Sequence, residues 1–381
     1  MKKIFYWSPY LSNVATIRNV INSAHSLIKY DYDSYKVGIV DAVGEWQKIK
    51  NEIFKKRIGY YKINGLNLSS KLPITGFLKS RIYFILIFFI NFFPLKNLLK
   101  KEKPDFLIIH LLTSLPLCLL LFFNFNTNFI LRISGLPKLN LFRKILWKIS
   151  GKKLFLITCP TEETKEEIIK LNIFDPKKIV LLYDPIINVA EITKKKKEFI
   201  NKNDLNKNYF LSIGRLTRQK NHTLLIKLFS LLQKDNKNIL LYILGDGEEK
   251  NNIIKEINKL NLQKNVFLLG HKENVYPYIQ SANAIVSTSL WEDPGAVMIE
   301  SAFCNKIVIS SNCPSGPTEF LKNGQAGYLF KNNNIELLKN SVDNFFQDSL
   351  EVKKKKKIMA KKSTKNYTIF NHYIIMKKIL N

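Results

Sequence analysis

Short apolar runs alternate with longer amphipathic stretches along most of this chain. Residues 2–7, 106–110, 129–133, 154–159 and 179–182 are strand-like, while 14–28 and 162–171 repeat their apolar positions at helical spacing. A second series begins at residue 210. Strands are predicted over 210–213, 239–244, 266–269 and 307–310, with helices over 223–232 and 296–304 between them. Alternation of this kind predicts an α/β protein whose parallel sheets are covered by helices on both faces.

A polar, charged stretch separates the two series, with four lysines in a row at 194–197. At 381 residues the chain can hold two ordinary domains, each with its own core. The expected partition is a first domain over 1–188, a linker over 189–208, a second domain over 209–361 and a terminal helix over 362–381. The start of the chain reads as a first β-strand rather than a leader, because no long apolar core or small-residue cleavage site follows the two lysines.

Charge changes the picture more than overall composition does. Sixty Lys and Arg stand against thirty Asp and Glu, a formal net charge of +30. The lysines are spread over most segments and are not interleaved with aromatics in an RNA-binding pattern, so no nucleic-acid partner is expected. Anionic phospholipid is the expected polyanion, since each well-placed Lys or Arg near such a surface contributes roughly 1 kcal/mol. Two apolar segments bear on this, 82–93 before Pro94 and 111–125 containing Pro116, each shorter than the ~20 residues of a spanning helix. The second reads as a buried helix; the first, with Lys79 and Arg81 before it and Lys96, Lys100 and Lys101 after it, reads equally as core or as an interfacial helix. The four cysteines show no CxxC pair or metal spacing, and fit reduced, buried thiols in the cytoplasm.

Candidate chemistry concentrates in the second series. Glu292 and Glu300 are separated by seven residues, with Asp293, Pro294 and Gly295 breaking the chain before a helix that starts at Ala296. Glu292 then lies in the loop and Glu300 within the helix. Between them the free amides of the helix N-terminus suit a phosphate, while the carboxylates accept hydrogen bonds from hydroxyls. Upstream, the strand 210–213 runs into Gly214 and Arg215, with Lys220 five residues on; further strands close on Gly245, Asp246 and Gly247, and on Gly270 and His271. After 307–310 come Ser315, Gly316, Pro317, Thr318 and Glu319.

These pieces, ordered over roughly 120 residues, resemble the donor-binding core of the family 4 retaining glycosyltransferases. The resemblance implies the GT-B fold: two Rossmann-like parallel-sheet domains facing across a cleft, with a last helix crossing back to the first. It also implies that Arg215 and Lys220 clamp the diphosphate of a nucleotide sugar, and that Glu300 holds the ribose. Glu292 would hold a hydroxyl of the transferred sugar. The turn Asp293, Pro294, Gly295 and the amides of Ala296 and Val297 would meet sugar and phosphate, with Gly214, Gly245, Gly270 and His271 around the nucleotide. His110, after the strand 106–109, matches a His that many relatives carry near the transferred sugar, and Arg132, Ser134 and Gly135 are second-rank candidates. Where the family has a Gly-rich loop after the first strand, this chain has residues 8–13 with no glycine.

The implied reaction is transfer from a nucleotide sugar, with a UDP-sugar as the expected donor, to a lipid-linked or surface polysaccharide acceptor. Fixed cations rather than a metal would stabilise the leaving diphosphate, and no cofactor is expected. The expected setting is the inner face of the cell membrane, touched peripherally. A non-catalytic, lipid- or polyanion-binding relative is the alternative, although it leaves Arg215, Lys220, Glu292 and Glu300 unexplained.

Overall fold

The computed structural model describes residues 1–10, 15–65, 68, 77–137, 139–198, 208–235 and 238–381. The expected loop residues Leu11, Ser12 and Asn13 lie outside them, as do the side chains of Lys79 and Arg81. Two units emerge: one comprises residues 1–185 and 369–381, the other residues 186–368.

In the first unit the chain runs β1 (Lys2–Trp7), α1 (Ala15–Tyr30), β2 (Tyr35–Asp41), α2 (Lys50–Lys55), β3 (Gly59–Lys62) and α3 (Phe77–Glu102). It continues through β4 (Phe106–Ile109), α4 (Ser114–Phe122), β5 (Asn128–Arg132), α5 (Leu141–Gly151), β6 (Leu156–Cys159), α6 (Glu162–Lys170) and β7 (Ile179–Leu181). The strands pair in parallel in the order β3-β2-β1-β4-β5-β6-β7. Central strand β1 buries both faces: Phe5 and Trp7 enter one apolar core, Ile4 and Tyr6 the other. Such two-sided burial explains its unbroken apolar run.

The second unit runs α7 (Val189–Lys195), β8 (Tyr209–Ile213), α8 (His222–Lys234), β9 (Leu240–Leu244), α9 (Lys250–Lys259), β10 (Val266–Leu268), α10 (Tyr276–Ser281) and β11 (Ala284–Ser287). It closes with α11 (Ala296–Phe303), β12 (Ile307–Ser311), α12 (Pro317–Phe320), β13 (Tyr328–Phe330), α13 (Ile335–Gln347) and α14 (Leu350–Ser363). Its six strands, again parallel, take the order β10-β9-β8-β11-β12-β13. The last helix, α15 (Ile369–Leu380), belongs to the first unit, where it packs on α1 and Lys377 pairs with Asp31 at 2.8 Å.

Three elements differ from what the sequence pattern suggests. The stretch expected to link the domains opens with helix α7, capped by Asn188, whose side chain accepts the Glu191 amide; polarity alone did not separate a capped surface helix from a linker. Pro94 does not end its helix: α3 continues to Glu102. An internal proline costs ~3 kcal/mol, and the burial of Leu95 and Leu99 beyond it recovers ~1.5–3 kcal/mol each. The terminal helix expected over 362–381 is broken at Thr368, whose backbone is extended, and α15 begins only at Ile369.

Candidate functional site

In each sheet the order reverses beside the first strand, between β1 and β4 in one unit and between β8 and β11 in the other. Open parallel sheets bind ligands at the carboxyl ends of the strands flanking such a reversal. In the second unit the loops after β8 and β11 carry Gly214, Arg215 and Lys220 on one side and Glu292, Asp293, Pro294 and Gly295 on the other. They are fastened together: the Leu290 amide donates to the Gln219 carbonyl at 2.8 Å, and the Thr288 hydroxyl to the Lys220 and Asn221 carbonyls at 3.0 Å. A third loop is tied in where the Glu292 amide donates to the Pro314 carbonyl at 2.6 Å and the Ser315 amide to the Glu292 carbonyl at 3.0 Å.

At the centre the Lys220 ammonium donates to Glu292 Oε1 at 2.6 Å, and the Ser289 hydroxyl reaches the same oxygen at 2.5 Å. Both side chains of the ion pair are mostly buried, 20 % and 10 % exposed. They line a pocket shared with Gly295, Val297, Met298 and Ser310. Gly295 takes φ +90 and starts α11, so the amides of Ala296 and Val297 open the helix beside the pocket. Arg215 is exposed, and its guanidinium has no partner among the described residues. A cation held by a carboxylate, a second cation in solvent and a helix N-terminus are groups whose chemistry suits a phosphorylated polyol.

Close backbone approach explains two glycines. A Cβ on Gly245, which has φ +145, would stand 1.9 Å from the Gly214 carbonyl oxygen, and one on Gly316, with φ +119, 2.7 Å from that of Pro294. Gly245 also donates its amide to the Gly270 carbonyl at 2.9 Å, joining the turns after β9 and β10, with His271 exposed next to them. Glu300, on α11, accepts the Tyr276 hydroxyl at 2.8 Å; burial, then the Glu300 charge, raises the phenol far above its ordinary range. Glu300 is not among the residues lining the Lys220–Glu292 pocket. Sequence reasoning did not single out Tyr276, Thr288 or Ser289, because a lone hydroxyl carries no spacing signal.

His110 belongs to the first unit, at the end of β4, where its amide donates to the Trp7 carbonyl at 2.9 Å. Its ring is buried; burial, with the Arg132 charge second, holds its pKa well below 6.5, so the imidazole is neutral at pH 7. Arg132 is buried too, and it pairs with Asp184 and donates to the Ile133 carbonyl. A further buried chain joins Tyr6, Ser23 and His372, with His372 Nδ1 2.8 Å from the Tyr183 carbonyl. Glu45, after β2, is a buried carboxyl that sequence reasoning missed; burial and then a hydrogen bond with Asp41 raise its pKa well above 4.5.

Comparison with known proteins follows the same division. Residues 193–366 match the family model Glycosyl transferases group 1. An uncharacterized glycosyltransferase of Methanocaldococcus jannaschii is 32% identical over 331 residues, covering 80% of this chain and 76% of that one. A Campylobacter jejuni N-acetylgalactosamine-N,N'-diacetylbacillosaminyl-diphospho-undecaprenol 4-alpha-N-acetylgalactosaminyltransferase is 30% identical over 228 residues, 60% of each chain. Among solved structures, Anabaena HepE in complex with UDP superposes with a TM-score of 0.73 over 100% of this chain and 99% of that one, at 14% identity.

Proposed function

From the premise that this chain belongs to the group 1 glycosyltransferases, and is thus a transferase with two Rossmann-like domains of the GT-B type, we propose a retaining, metal-independent family 4 enzyme. Its donor is a UDP-sugar and its acceptor a lipid-linked or surface polysaccharide, at the cytoplasmic face of the membrane. The observation that carries the donor half is the Lys220–Glu292 pair at the strand-order reversal, beside the N-terminus of α11. The acceptor half rests on relatives such as the Campylobacter enzyme, whose name specifies a diphospho-undecaprenol acceptor. The UDP bound to HepE supports the choice of base.

In the reaction, the bond between the sugar anomeric carbon and the β-phosphate oxygen breaks, and its electron pair leaves with UDP. Negative charge then grows on the diphosphate. Arg215, Lys220 and the amides of Ala296 and Val297 are the fixed positive groups that lower its energy, a role worth roughly 10²–10³ in kcat for one donor. Glu292 orients a sugar hydroxyl and Glu300 the ribose. The acceptor hydroxyl attacks on the face the diphosphate leaves, and its proton passes to a phosphate oxygen.

The test is thermal unfolding at fixed salt against UDP, GDP, ADP and CMP, because a ligand that binds only the folded chain raises Tm. UDP alone is expected to raise it, and Lys220→Ala to abolish the rise. A rise with another nucleotide would replace the donor class, and no rise with any would remove the donor site.

A further inference from the structure

Helix α3 has two unlike faces. Ile87, Asn91, Leu95 and Leu99, four residues apart, are buried against the first unit, and Asn91 donates to the Ile87 carbonyl at 2.9 Å. Ile82, Ile85, Leu86, Phe89 and Phe93 face outward, with Phe89 69% exposed. By length and composition residues 82–102 could cross a membrane. A helix with one stripe fixed in a protein core is not enclosed by lipid, however, so only its outer stripe is free to meet one. Helix α5, which sequence reasoning did not pick out, repeats the arrangement: Leu146 and Trp147 are buried, while Leu141, Phe142, Ile145 and Ile149 are exposed. Isolated exposed apolar residues are ordinary, but two helices presenting nine large ones are not.

Charge selects the partner. Between residues 53 and 161 the sequence has eighteen Lys and Arg and two acids, Glu102 and Asp105. Both acids are occupied by Lys3: its ammonium pairs with Glu102 at 2.5 Å and its amide donates to Asp105 at 2.6 Å. Exposed Lys100, Arg143, Lys144 and Lys148 stand on the same two helices as the apolar residues. Aromatic and aliphatic side chains among unbalanced cations fit a surface with an apolar interior and an anionic rim.

A groove of about 1010 Å³ runs from this face to the carboxyl ends of β4 and β5 in the same unit. Ile85, Phe89 and Phe142 line it on the two helices, and His110 and Arg132 at the carboxyl ends of β4 and β5. We propose that α3 and α5 together form the face by which this protein seats on an anionic phospholipid bilayer, and that the groove takes lipid hydrocarbon from it toward His110. Seating on the bilayer does not rest on the donor reading; the use of the groove by an acceptor lipid does.

The test is flotation of the full chain with vesicles of phosphatidylcholine alone or with phosphatidylglycerol, at physiological salt. The wild type is expected to float with the anionic vesicles. Phe89→Ser with Phe142→Ser, and separately Lys144→Glu with Lys148→Glu, should each weaken flotation by at least about tenfold, while the UDP-dependent rise in Tm stays as in the wild type. Loss of flotation only with the lysine pair would reduce the effect to bulk charge and overturn the proposal. So would a wild-type dimer in sedimentation that the phenylalanine pair makes monomeric, because a second copy would then cover the face. Unchanged UDP binding keeps either failure separate from a failure of the donor site.

Discussion

Lys220→Ala and Glu292→Gln are expected to move UDP affinity in opposite directions. In the free chain the Lys220 ammonium is held 2.6 Å from Glu292 Oε1, with Ser289 on the same oxygen. An incoming diphosphate therefore competes with Glu292 for that cation. A partly exposed ion pair contributes up to about 1 kcal/mol, so neutralising Glu292 should tighten UDP by up to about fivefold. Removing the ammonium instead deletes a charge-assisted hydrogen bond worth ~1.5–3 kcal/mol, which should weaken UDP by about 10–100-fold. Transfer should fall in both variants, since one loses the leaving-group cation and the other the sugar contact. Calorimetric titration of UDP into the three proteins reads the affinities, with unfolding at 25 °C as a check on folding. Equal weakening in both variants, or no change in either, would refute the competition and with it the assignment of Lys220 to the diphosphate.

Three further outcomes follow from the geometry. Gly245→Ala places a Cβ 1.9 Å from a carbonyl oxygen at φ +145, so urea unfolding should show a loss of at least ~2 kcal/mol, and a neutral result would show that the β8 and β9 loops part easily. His222 is buried, and burial, with the Lys220 charge second, pushes its pKa down to about 4. The unfolded imidazole takes a proton below about 6.5 while the folded one stays neutral to about 4, so stability present above pH 6.5 is lost across that window, about 2 kcal/mol by pH 5; His222→Gln should flatten the loss, and an identical pH 7 to 5 difference in both proteins would count against the buried neutral ring. Transfer should proceed equally in EDTA and in Mg2+, and strict dependence on added metal would assign leaving-group stabilisation to an ion rather than to Arg215 and Lys220.

The strands were legible wherever burial on both faces left an unbroken apolar run, as in β1, β4, β8 and β12. Brief strands were legible only in part: the edge strands β7 and β10 showed as Ile-Val-Leu-Leu and Val-Phe-Leu-Leu runs, whereas β3, with Tyr60 and Tyr61, and β13 show no such run, and β11 is hidden in an Ala-Ile-Val-Ser run that reads equally as part of a helix. Helix α5 went unseen because its exposed Leu141, Phe142, Ile145 and Ile149 blur the amphipathic pattern that marks a surface helix. The interfacial face was thus half legible, through α3 alone. Residues 214 to 220 stood out because Gly and charged residues directly follow a strand-like run, and residues 292 to 300 because a Pro-Gly break stands between two glutamates seven residues apart. Their coupling was not visible, since the Lys220–Glu292 contact spans 72 residues and depends on which strands are neighbours.

The most direct test of the central claim follows the sugar itself. Purified protein would be incubated with UDP-sugars labelled in the sugar and a bacterial lipid extract containing lipid-linked saccharides, and the label in the organic phase counted. Label from at least one UDP-sugar is expected to enter the lipid fraction as UDP is released, and Lys220→Ala to cut this by about 10²–10³-fold. Label that stays in the aqueous phase for every UDP-sugar, or transfer undiminished in Lys220→Ala, would contradict it.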